Sequence, residues 1–277
     1  MNNNDKIKKV YQKLVDGVQN FRNTDEYIKF LKFTKNFHNY SFANKVLIFN
    51  QFEDATRVAG YKTWESLGRT VIPGSKGIQI MFPMPYKHKI KVKNKDTNEE
   101  TEEEHEFLRF RPTYVFDVSQ TEGAELPVLK KTLNTNNKKD LFETLKKFCT
   151  IPIKYLELSN GSQGYYNTKE NYIALKKDLS IDDMASVLLH ELTHFLYDDF
   201  DYAEERELSE IFVESVAYIV ADYFDLDTSM CSFRYINSWA DNDIKKVISL
   251  GTKIQKTADE FIKKLEEFTL QKIEVAV

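Results

Sequence analysis

The strongest constraint on this chain comes from two helix-forming stretches whose apolar faces carry chargeable side chains. In SIDDMASVLLHELTHFL, Ser180 and Asp183 form an S-x-x-D start, and Met184, Leu188, Leu192, Phe195 and Leu196 recur at helical spacing. His190 and His194 are four apart and share a face of that helix, and Glu191 follows the first histidine directly. Downstream, AEERELSEIFVESVAYIVADYF places Glu210 and Glu214 four apart, and Ala217 and Ala221 continue their face with small side chains. Buried carboxylates without partners are costly, so the two helices are expected to pack face to face around a cation.

The spacing specifies the chemistry. Stacked imidazoles of His190 and His194 can hold one metal ion, and Glu191, about 100° further round the helix, falls beside the ion. A carboxylate there can take a proton from a water that the ion has made acidic. A catalytic zinc takes a third protein ligand and keeps a position open. Glu210 is expected to be that ligand, with Glu214 hydrogen-bonding a liganding histidine and fixing its tautomer; the reverse assignment fits the same pattern. One Zn2+ per chain is expected, and another divalent transition metal suits the same donors. A pair of surface histidines is the bland alternative, but only these two histidines follow His105, and they fall in register with Glu191. Just upstream, GYYNTKENYIALKK reads as a hairpin, which can either offer its edge to an extended peptide or serve as core.

The 277 residues suit two compact domains, and helical and β-like stretches occur in both halves, giving an α+β chain. Neither a membrane span nor a signal peptide is evident, and two distant cysteines, Cys149 and Cys231, suggest a reducing, cytoplasmic setting. The net charge of -4 conceals a division: residues 1–95 hold 18 basic and 7 acidic side chains, and seven acids then crowd into Asp96–Glu106. A polyanion is a plausible partner for the basic part. KIKKVYQKLVDGVQNF and YIKFLKFTKNF have helical spacing, followed by short β-like runs in GIQIMF and RPTYVFDV. Residues 87–107 read as a two-stranded excursion with a flexible acidic tip, and the polar LPVLKKTLNTNNKKD marks a boundary, with Asp140 capping a helix LFETLKKFC. The expected domains are 1–129 and 130–277.

These motifs carry a resemblance. The order of helix, strand pair, HELTH helix and glutamate helix resembles the zincin metallopeptidases with a glutamate third ligand. ELSEIFVESVAYIV is similar to the glutamate helix of the ImmA/IrrE and ArdC/LtrC groups. That likeness implies His190, His194 and Glu210 as zinc ligands and Glu191 as catalytic base. YSFANKVLIFNQFEDATRVAGYKTWESLGRTVIPGSKGIQIMFP and YVFDVSQTEG resemble the N-terminal single-stranded-DNA-binding domain of ArdC-type antirestriction proteins and LtrC-like proteins of mobile elements. The acidic insertion departs from that pattern, and Asp225 stands where a glycine would end the glutamate helix.

Single strands bind to basic grooves with aromatic faces for stacking. In that light Tyr40, Tyr61 and Trp64 are candidate stacking platforms, Lys62, Arg69 and Lys76 phosphate contacts, and Asn44 and Gln51 hydrogen-bonding groups. Gly74 and Gly77 would let backbone amides near a phosphate. Each has a structural alternative: Tyr61 and Trp64 as core aromatics, Asn44 and Gln51 as ties between helix and sheet. Three functions fit: a DNA-binding antirestriction protein with a metallopeptidase-like domain, a regulatory metalloprotease of ImmA type cleaving a protein partner, or a non-enzymatic DNA-binding protein braced by a metal.

Overall fold

The computed structural model describes residues 3–20, 24–37, 39–93, 100–126, 138–159, 161–226 and 243–275, arranged as two compact units of an α+β fold. One comprises residues 1–17 and 46–125, the other residues 18–45 and 126–277. The segment 18–45, grouped by the sequence with the N-terminal half, packs in the second unit because its apolar side chains find their partners there. Tyr27 Oη lies 3.1 Å from Ser215 Oγ, Lys35 pairs with Asp222 at 2.8 Å, and Gln255 donates to the Tyr40 carbonyl.

In the first unit, helix α1 (Asn3–Asn20) presents Val10 and Leu14 to the core and α3 (Phe42–Gln51) presents Val46, Leu47 and Ile48. The sequence pattern did not anticipate α3, because Val46 to Phe49 are all buried and no polar face marks its period. Strand β1 (Val58–Ala59), a short α4 (Tyr61–Ser66) and β2 (Arg69–Val71) lead to a long hairpin of β3 (Ile78–Lys93) and β4 (Glu100–Asp117); β5 (Thr121–Gly123) then pairs with β2. Asp117 closes the hairpin base: its carboxylate accepts from the N–H groups of Thr56, Arg57 and Ser119.

The hairpin revises the expected acidic tip. Within the hairpin, residues 94–99 lie outside the described residues; Glu100 to Glu106 belong to β4. Lysine and glutamate alternate in register, Lys87 opposite Glu106, Lys89 opposite Glu104, Lys91 opposite Glu102 and Lys93 opposite Glu100. The Lys87 ammonium lies 3.2 Å from Glu104, on the diagonal of that ladder. Nearer the base, Phe82 faces Arg111, Met84 faces Arg109 and Tyr86 faces Phe107, while Pro83 and Pro85 face Phe110 and Leu108.

In the second unit, α2 (Thr24–Thr34) is followed by α5 (Lys138–Phe148), β6 (Ile153–Leu156), β7 (Gly164–Asn167), β8 (Tyr172–Lys176), α6 (Ile181–Tyr197), α7 (Tyr202–Tyr223) and α8 (Ile244–Val275). Asp140 lies inside the first turn of α5, which begins two residues before the expected cap. The sheet order is β6-β8-β7, with β6 parallel and β7 antiparallel to β8. The anticipated hairpin is thus β7–β8, joined by a third strand that was not foreseen. Tyr172 to Leu175 are buried, as a central strand requires. Gly164 lacks a side chain where one would meet Val187 and the Ala174 carbonyl, so β7 lies close against α6. Helix α7 is buried on nearly all sides from Ile211 to Ala221. Among the described residues no helix is long and apolar enough to cross a membrane.

Candidate metal centre

Helix α6 starts where its sequence says it should: Ser180 Oγ accepts from the Asp183 N–H and donates to its carboxylate. The buried face centres on Ala185, Leu188, Leu189 and Leu192, rotated slightly from the expected stripe: Leu188 and Leu192 belong to both, whereas Leu196 is exposed. That rotation turns His190 and His194 toward α7. The two Nε2 atoms lie 3.2 Å apart, and Glu210 Oε2 lies 3.6 Å from His190 Nε2 and 3.8 Å from His194 Nε2. Tetrahedral ligands about 2.0–2.1 Å from a zinc ion stand roughly 3.3 Å from one another, so the triangle has the dimensions of a metal tripod. It is also the cluster of His, Cys, Asp and Glu donors with metal-ligand spacing among the described residues.

Behind the tripod stands a carboxylate that the sequence reading passed over. His194 Nδ1 lies 2.7 Å from Asp198 Oδ2, which also accepts a 2.6 Å hydrogen bond from Ser209. Asp198 is four residues after His194, so the same-face spacing was available as a signal. At His194 it occupies the place anticipated for Glu214. Burial raises the Asp198 carboxyl, but hydrogen bonds from His194, Ser209 and the Phe200 N–H hold it below the usual range. Burial lowers the His194 imidazole, yet Asp198 and Glu210 together with the Glu191 charge push it up to about 9.

Glu191 is 7% exposed and lies between two openings. Burial pushes its carboxyl up, against the nearby histidines, and Glu210 pushes the same way. On one side is a cleft of about 640 Å³ bordered by Gly164, Tyr165, Tyr166, both histidines, Asp198 and Glu210. On the other is a cavity of about 200 Å³ bordered by Gln163, Asp183, Val187, Glu214, Ala217 and Ala221. Glu214 therefore lines the wall of the second cavity, one turn along α7 from Glu210. Strand β7 forms the rim as an edge of its sheet: among the described residues no strand pairs with its outer side, and the Tyr166 N–H there donates to Glu191. The site thus brings together a three-donor cluster with metal-ligand spacing, a buried carboxylate of raised pKa beside it, and a cleft bordered by β7.

The residues singled out for nucleic acid separate into free and occupied. Tyr61, Lys62 and Lys76 are exposed. Trp64 is 2% exposed and donates from Nε1 to the Phe116 carbonyl, so it is core and offers no stacking face. Arg69 is committed to β5: Nε donates to Thr121 Oγ1 and the guanidinium to the carbonyls of Thr121 and Ala124. Gln51 ties α3 to β3 by accepting from and donating to the Gln79 backbone. Asn44 is buried, and Tyr40 is half-buried against Phe37 in the second unit.

Comparisons agree with this architecture. Residues 4–116 match the family described as the N-terminal domain of anti-restriction factor ArdC. An uncharacterized Bacillus anthracis protein, pXO2-81, is 25% identical over an alignment covering 95% of this chain and 52% of the relative, so the chain spans about half the relative's length. The metal-free crystal structure of the antirestriction ArdC protein from the R388 plasmid superposes with a TM-score of 0.53 at 20% identity, covering 82% of this chain and 85% of that one. Its Mn(II)-bound form gives 0.52 at 19% identity over the same shares. The chain is thus similar to ArdC: residues 4–116 match the family of the ArdC N-terminal domain and, over 82% of its length, the chain shares the fold of R388 ArdC.

Proposed function

We propose that this chain is an antirestriction protein of a mobile element, whose N-terminal unit binds single-stranded DNA and whose second unit is a metal-dependent peptidase. The observation that carries the peptidase part is the triangle of His190, His194 and Glu210, with sides of 3.2, 3.6 and 3.8 Å, standing beside the buried Glu191. These residues would hold one Zn2+ or Mn2+; the donor set suits both, and a Mn(II)-bound form of R388 ArdC has been crystallised. When bound, such an ion acidifies water and polarises a carbonyl. Asp198, 2.7 Å from His194 Nδ1, would hold that nitrogen as the donor and leave Nε2 available as a ligand. Glu191 takes the proton of the attacking water, and its raised pKa suits it to return that proton to the leaving amine. The edge position of β7 beside the cleft would let an extended peptide add along it. For the N-terminal unit, support comes from the match at residues 4–116, the basic surplus of residues 1–95, and the exposed Tyr61, Lys62 and Lys76.

A bracing role for the metal has its own observation: Asp198 joins His194 on α6 to Ser209 on α7, so an ion here would clamp two core helices. Glu191→Gln separates the two. It leaves every ligand in place and removes the base. The variant should keep one ion per chain by elemental mass spectrometry, while protection of unmodified plasmid DNA entering a restricting host falls by about 10²-fold or more. Full protection by a metal-loaded variant would assign the ion a structural role.

A further inference from the structure

The long hairpin has two chemically different faces beyond the core. Residues directly opposite in an antiparallel ladder share a face, and faces alternate along each strand. The face that begins in the core with Ile78 and Val115 continues outward as Phe82 with Arg111, Met84 with Arg109, and Tyr86 with Phe107. Phe82 is 49% and Phe107 38% exposed, and both arginines are exposed. Tyr86 stacks on Phe107 with centroids 5.7 Å apart, and the Arg109 guanidinium lies 4.1 Å from the Tyr86 centroid. Among the described side chains, the carboxylates of the arm, Glu104 and Glu106, belong to the opposite face, where the register sets lysines across from them.

The prolines narrow what can dock here. Pro83, Pro85 and Pro112 all fall in pairs of one parity, so one bonding class of the ladder contains every proline. An unbroken ladder requires their nitrogens to point to the outer edges, where a missing N–H bars another strand from adding. Self-association through the ringed face of a two-fold dimer would set Arg109 and Arg111 close to their own copies, a like-charge juxtaposition. The face suits a flexible polyanion with exposed rings.

We propose that this face of the arm binds single-stranded DNA, bases stacking on Phe82, Tyr86 and Phe107 and phosphates meeting Arg109 and Arg111; the inference rests on the single-strand reading of the N-terminal unit. It moves the main stacking platform away from the buried Trp64.

The test uses the full chain and a fluorescein-labelled oligothymidylate, followed by anisotropy across a salt series. Tyr86→Leu with Phe107→Leu keeps apolar bulk while removing the rings. Affinity should fall about tenfold or more, while the full chain still melts cooperatively because Phe107 is exposed and Tyr86 only half-buried. Arg109→Gln with Arg111→Gln should reduce the slope of log affinity against log salt by about 1–2. Wild-type affinity in both variants, with binding intact in the parent, overturns the arm proposal alone. Absence of oligothymidylate binding by the parent at low salt overturns the single-strand reading and the arm with it. A concentration-dependent dimer that the leucine variant dissolves, with DNA affinity unchanged, would make the face a contact between copies.

Discussion

Lys45, on α3, is 1% exposed, and its ammonium donates to the Thr34 carbonyl at 3.2 Å. Burial pulls the amine down to about 8, and the Asp259 charge offsets only part of that. The folded pKa thus lies below the unfolded value near 10.5, so the unfolded chain binds more protons between those limits and stability from this site rises with pH across them. Lys45→Met should therefore stabilise the protein by about 1–2 kcal/mol near neutral pH, net of the orphaned Thr34 carbonyl, and the gain should vanish above about pH 10. Denaturant midpoints of both proteins at the two pH values measure it; a gain independent of pH would mean that charge burial is not the cause. At this scale the metal ligands were readable because four-residue helical spacing is local. Trp64 and Arg69 were not, because the partners that occupy them, Phe116 and Thr121, lie 52 residues away. A buried and an exposed tryptophan look alike in a sequence.

At the scale of elements, the end of α7 shows how a rule can hold through an unexpected residue. Asp225 adopts φ 56°, the left-handed conformation that a glycine was expected to supply. The Leu226 N–H reaches the Ala221 carbonyl and the Asp225 N–H reaches that of Asp222, the paired closure of a helix terminus, with Leu226 buried beyond it. Asp225→Gly should stabilise by about 0.5–1 kcal/mol by removing the left-handed penalty, read as a shift in denaturant midpoint at constant slope. Destabilisation would show that the aspartate side chain contributes more than its backbone costs. Amphipathic helices and the β7–β8 hairpin were legible from their periods. Helix α3, buried without interruption from Val46 to Phe49, and the four-residue β6 carried no period long enough to read. The charge run at Asp96–Glu106 suggested a loose tip because the lysines that answer it are on the other strand.

For the whole molecule, the return of residues 18–45 to the second unit had no local signal. Its cause is packing: Phe30 meets Phe42 edge to face at 5.4 Å, and Phe42 presses on α8 where Gly251 leaves room for the ring. A fragment ending at Leu129 keeps these side chains and loses their partners. It should scatter light and lack a cooperative melting transition, whereas the full chain melts cooperatively; a monomeric, cooperatively melting fragment would show that the segment folds without them. Substitutions in the full chain are accordingly the sound way to assign functions to either unit.

The alternation of lysine and glutamate along the arm has a consequence for descent. Its repeat is two residues on each strand, so removing one Lys-containing dipeptide and the Glu-containing dipeptide across from it shortens the arm by one rung without turning any side chain to the other face. Register is held at the base by Ile78 and Val115, outside the repeat. The reach of the arm is therefore a quantity that mutation can adjust in whole steps, while the ringed face near its root keeps its place.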